Sequence, residues 1–236
     1  MLLLPFKTLY LAILKIKKSR NSPMRHEDLT YYHKKEEFFN VVSHALGLVL
    51  SIIGLFLLIV KSSNSTVPYK LASFTIFGGS LILLYTASTV YHYVQNPLLR
   101  KRLNILDHAA IYILIAGTYT PFTLVTLHGP LGWTLFGITW GIALVGVVLK
   151  LFFTGRFDTI STIAYVGMGW IIVFAIKPLY TALPLAGLYW LFAGGLAYTL
   201  GAILYSRPTL RYNHAIFHVF VLLGSACHYI AIYTYV

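Results

Sequence analysis

Seven apolar runs, each near the roughly 20 residues that a helix needs to cross a bilayer, restrict this chain more than any other feature. They fall at Val41–Val60, Leu71–Tyr93, Ile105–Leu127, Leu131–Phe153, Ile160–Ile176, Leu185–Tyr205 and His214–Val236. Backbone groups in hydrocarbon must bond within their own segment. None of the runs alternates in polarity like a barrel strand, so each predicts a helix. The punctuation agrees. His128-Gly129-Pro130 predicts a tight turn between the third and fourth runs, Lys177-Pro178 an end to the fifth, Pro184 a start to the sixth, and Arg207-Pro208 the link that follows it. The expected class is an all-α integral membrane protein with seven transmembrane helices. Charge supports this, since only 10% of the 236 residues are charged, against about a quarter in a soluble domain.

The basic residues orient the bundle. With successive links alternating between the two membrane faces, 15 of the 18 Lys and Arg gather on the side of the N-terminus and 3 on the other. Positive residues stay inside, so the expectation is a multi-pass protein of the plasma (inner) membrane with a cytoplasmic N-terminus and an external C-terminus. The same distribution removes nucleic acid as the meaning of the +12 net charge. The expected partners are membrane lipids and a lipid-like substrate or ligand, with no protein partner indicated. Residues 1–40 form a separate basic segment and 41–236 the membrane domain. Met1 to Ile16 is apolar with Lys7 and Lys15 interspersed and basic residues behind it, which predicts an amphipathic helix on the inner leaflet and not a signal peptide. The single cysteine, Cys227, excludes a disulfide within the chain.

Ionisable residues inside spans are costly and mark function. Of six acids, Asp107 alone falls within an apolar run. Five of the nine histidines (His44, His92, His108, His214 and His218) fall at the cytoplasmic ends of the first, second, third and seventh spans, at about one depth. His214 and His218 are four residues apart and project from one helix face. Two such imidazoles can hold one metal, and His92 at matching depth adds a third nitrogen. Three histidines leave a fourth position for water, whose pKa zinc lowers towards about 7. Asp107 is then placed to take the proton. Ser88, one turn before His92, is a candidate to bond a ligand histidine or a substrate carbonyl. His44 and His108 read either as partners that fix ligand tautomers or as interfacial residues. His228, some 15 Å deeper than His218 by helical rise, reads with Cys227 as a packing residue. Gly117-Thr118-Tyr119-Thr120-Pro121 predicts a kink, and Gly167, Gly169, Gly194 and Gly195 predict close helix contacts.

Glu36…Asn40-x-x-Ser43-His44, Ser88-x-x-x-His92, Leu106-Asp107-His108, Gly117-Thr118-Tyr119-Thr120-Pro121 and His214-x-x-x-His218 occur in that order at the expected helix ends. Together they resemble the signature of the haemolysin III-related branch of the progestin and adipoQ receptor (PAQR) family, over the chain from about Glu36 onward. The resemblance implies seven helices with a cytoplasmic N-terminus and zinc held by His92, His214 and His218. It further implies that Asp107 faces the metal-bound water and that Ser88 is the family's second-span serine. The related alkaline ceramidases imply a zinc-dependent hydrolase of a lipid-like amide. The competing expectations are a lipid-responsive receptor or sensor with structural zinc, a membrane-lytic haemolysin, and a transporter. A single intramembrane acid makes a poor proton relay for transport.

Overall fold

The structure, a computed structural model, describes residues 32–236 apart from 156 and 208. The surface helix expected between Met1 and Ile16 lies outside the described residues. Among the described residues, seven helices are long and apolar enough to span a bilayer: α1 (Lys34–Ser62), α2 (Lys70–Tyr93), α3 (Pro97–Leu127), α4 (Gly129–Phe153), α5 (Asp158–Ala182), α6 (Leu185–Tyr205) and α7 (Asn213–Tyr235).

Successive helices pack as antiparallel neighbours from α1 to α4, α6 packs on α7, and α7 returns to α1. Without a hydrophobic drive between helices in lipid, close approach depends on small residues. Gly78 meets the backbone and side chain of Leu55, Gly117 meets Ser80, Gly146 lies on the Tyr112 ring, and Gly224 lies on Tyr198. Outward-facing Leu46, Val49, Ile53 and Phe56 of α1 and Leu144, Val145 and Leu149 of α4 remain exposed, as lipid-facing surface must.

Four expectations change in the structure. The helix α1 begins at Lys34, seven residues before the apolar run, and so carries Glu36 and Glu37 within it. It does so because the buried stripe of Glu36, Asn40, His44, Gly47, Ser51 and Gly54 continues back through the charged turn. Likewise α3 starts at Pro97, where Asn96 caps the helix by accepting from the Leu99 amide at 3.1 Å. Lys177-Pro178 does not end the fifth span. A 3-10 stretch at Trp170–Ala175 breaks it, and a new helix, Ile176–Ala182, places Pro178 in its first turn, where a missing N–H costs nothing. Gly167 and Gly169 have no atom within 4 Å of where a Cβ would stand, so they are not close-packing positions. The disruption expected at Pro121 is present as a π-helical stretch, Phe122–Leu127, directly after it.

Candidate metal centre

Two helix ends supply the centre. His92 sits in the last turn of α2, and His214 and His218 sit in the first turns of α7. All three rings are buried, and one nitrogen of each lies within 4.8 Å of the others. The Nε2 atoms of His92 and His214 are 3.1 Å apart. Two nitrogens bound to one ion at about 2.0–2.1 Å and a tetrahedral angle lie about 3.3 Å apart, so the spacing fits a shared metal.

The opposite nitrogens decide which face of each ring is available. His92 Nδ1 lies 2.7 Å from Glu37 Oε2, and His218 Nδ1 lies 3.3 Å from the Asn40 carbonyl. A carboxylate and a carbonyl only accept, so in the neutral rings Nδ1 carries the proton and Nε2 is bare. His214 Nδ1 meets the Tyr32 hydroxyl at 2.9 Å. A hydroxyl both donates and accepts, so this contact is compatible with the same tautomer, Nδ1 protonated and Nε2 bare. With Nε2 bare on all three rings, they form the donor set that imidazole-binding metals take. The residues present therefore fit a metal ion.

A cavity of ≈ 170 Å³ lies against this centre. At one end it is lined by His44, Ser88, Asp107, His108, His214 and His218. Its other walls are mostly apolar, from Leu84, Ile111 and Ile115 past Phe217 and Val221 to Phe122, Leu191 and Phe192, with Ser161, Thr162, Tyr165 and Thr199 interspersed. The seventh-span residue His228 lines the deep part, packed against Gly194, with its Nε2 donating to the Leu191 carbonyl at 3.1 Å.

The structure brings Ser88 and Asp107 to the same cavity wall as His214 and His218. The Ser88 hydroxyl is buried and bonds no ligand histidine, having no partner among the described residues. His44 stacks flat on His218 with ring centroids 3.5 Å apart, and its two nitrogens have no partner among the described residues. It therefore does not fix a ligand tautomer by hydrogen bonding. His108 lines the cavity while its carbonyl accepts from Tyr165 at 3.0 Å. Tyr32, Glu37 and Asn40 contact the outer nitrogens of the ligand rings, and all three lie in the 1–40 segment that hydropathy sets apart from the membrane domain. Their signal was the spacing: Glu37 and Asn40 precede His44 by seven and four residues on one helix face.

These features define a multi-span helical membrane protein with a buried three-histidine centre at the polar end of an apolar cavity. The family model described as "Haemolysin-III related" matches residues 32–229, and the chain belongs to that family. It is 48% identical to Hemolysin-3 of Bacillus cereus over 202 residues, covering 86% of this chain and 92% of that protein. It is 46% identical to the Hemolysin-3 homolog of Bacillus subtilis over 201 residues, covering 85% and 94%. With the human Monocyte to macrophage differentiation factor it shares 28% identity over 206 residues, covering 85% and 84%.

Proposed function

We propose that the protein is a zinc-dependent hydrolase of a lipid-like amide in the plasma (inner) membrane, its N-terminus and metal centre on the cytoplasmic side. The observation that carries this reading is the joining of a three-nitrogen centre to an apolar cavity through Ser88 and Asp107. The apolar lining that includes Leu84 and Val221 suits an acyl chain, whose carbonyl would then lie beside the histidines. When bound, zinc supplies Lewis-acid polarisation of that carbonyl and activation of water. Asp107 takes the proton released on attack and returns it to the leaving amine. The Ser88 hydroxyl, without a partner among the described residues, would donate to the carbonyl oxygen as charge develops there. The excess of Lys and Arg on the N-terminal side supports the orientation.

A second reading, membrane lysis, comes from the name Hemolysin-3 borne by the Bacillus relatives. The hydrolase reading is favoured because lysis has no use for an acid and a hydroxyl gathered on one cavity with clustered imidazoles. The test is release of free amine from ceramide and simpler N-acyl amines by detergent-purified, zinc-loaded protein. Turnover that falls by about 100-fold or more in Asp107→Ala, with zinc retained, supports the reading. No turnover above a protein-free control across the panel contradicts it.

A further inference from the structure

Three groups on the ligand rings come from one nine-residue stretch, Tyr32–Asn40, that leads into and begins α1, although the rings themselves belong to α2 and α7. Tyr32 supplies a hydroxyl to His214, Glu37 a carboxylate to His92, and Asn40 its carbonyl to His218. Glu36 adds a further hold, accepting from the His214 amide at 3.3 Å. The three contacts are chemically unequal. A hydroxyl and a carbonyl are neutral, whereas a carboxylate on an imidazole N–H raises the basicity of the opposite nitrogen as well as orienting the ring.

Glu37 is itself held. The Arg100 guanidinium donates to its other oxygen, Oε1. Arg100 is completely buried and also donates to the carbonyls of Tyr91 at 3.2 Å, His92 at 3.4 Å and Val94 at 3.3 Å. It therefore grips the end of α2 where His92 sits and holds the carboxylate that orients the His92 ring. A fork of fixed donors cannot rotate away as a lysine could. His92, Glu37 and Arg100 form one chain of contacts across three helices.

Resting on the metal-centre reading above, we infer that Glu37 is a positioning residue for the metal: clamped by Arg100, it fixes His92 with Nε2 bare and strengthens that nitrogen as a ligand. Removing its charge weakens metal binding while leaving the three histidines in place. Tyr32 acts in the same way on His214 with a smaller effect, since its hydroxyl is neutral.

The test uses the full-length protein in detergent, stripped of metal and titrated with cobalt(II), whose visible absorption reports ligand number and geometry. Wild type, Glu37→Gln, Glu37→Asp and Tyr32→Phe are compared for cobalt affinity, spectrum and thermal midpoint without metal. The expected result is an affinity loss of about 10–100-fold in Glu37→Gln, a smaller loss in Tyr32→Phe, and partial recovery in Glu37→Asp. The Glu37→Gln spectrum should shift, while the metal-free midpoint of Glu37→Asp stays near wild type. If Glu37→Gln does not fold, Glu37→Asp carries the test through a shifted spectrum and weaker binding. Wild-type affinity and spectrum in every folded Glu37 variant would overturn the inference alone. Failure of the wild type to bind cobalt would overturn the metal reading and the inference with it.

Discussion

The wall built by α1, α2 and α7 joins polar groups of one helix to those of another, whereas the wall built by α5 and the facing part of α6 ties most of its hydroxyls to its own backbone. In the first, Tyr85 donates to Ser225 at 2.8 Å and Glu37 is shared between His92 and Arg100. In the second, Ser161, Thr162 and Thr199 each donate to a carbonyl four residues earlier in the chain while lining the cavity. Packing also differs between the helices that carry the histidines and α5. Over their most apolar 18 residues, 56% of α2 and 44% of α7 are buried but only 17% of α5. The helix α5 is also interrupted by its 3-10 stretch and packs sparsely on its neighbours. Elements with few buried contacts open locally at little cost, and tightly packed ones do not. The ligand histidines thus sit on the rigid side of the cavity, and a lipid would enter through the yielding side.

Substitutions can break or sharpen this contrast. The largest effect is expected at Arg100, whose replacement by alanine removes the guanidinium that donates to Glu37 and to three carbonyls. Loss of one partner of a buried pair costs about 3–5 kcal/mol, so Arg100→Ala should lower the thermal midpoint in detergent severely or prevent folding. Tyr165→Phe on the opposite wall removes one hydrogen bond to the His108 carbonyl and should cost about 0.6 kcal/mol. Comparable losses in the two variants would show the walls to be equally rigid.

Adjacent glycines of α6 give a finer comparison. A Cβ on Gly194 would stand 2.2 Å from the His228 ring, which its bond to the Leu191 carbonyl holds in place. Gly194→Ala should therefore cost about 1–3 kcal/mol. A Cβ on Gly195 would meet its nearest atom, on Trp170 of α5, at 3.7 Å, an ordinary contact. Gly195→Ala should change the midpoint by no more than about 0.5 kcal/mol in equivalent stability. Equal sensitivity at the two positions would contradict a loosely packed α5 face.

The spans were legible because lipid imposes length and hydropathy on each of them, and the sixth run, Leu185–Tyr205, matches its helix end to end. Helix starts were less so. Hydropathy stops at a charge, and both α1 and α3 begin with charged turns that fold back onto the bundle. For the same reason Glu37 and Arg100 were unreadable as site residues: each is a surface residue by type, and only their mutual burial beside His92 gives them meaning. The ligand set was more accessible. Four-residue spacing places His214 and His218 on one face, and helix direction brings His92 to the same depth. The roles of Ser88 and His44 depended on side-chain direction at a helix junction, which spacing does not encode.

The most direct test of the central claim is the metal content of freshly purified protein. Wild type, His218→Ala and Asp107→Ala would be compared in the same detergent by elemental analysis. The account predicts about one zinc per chain in wild type and in Asp107→Ala, and none in His218→Ala, since three protein nitrogens hold the ion. Wild-type protein without metal, or a His218→Ala variant that keeps its full complement, would contradict it.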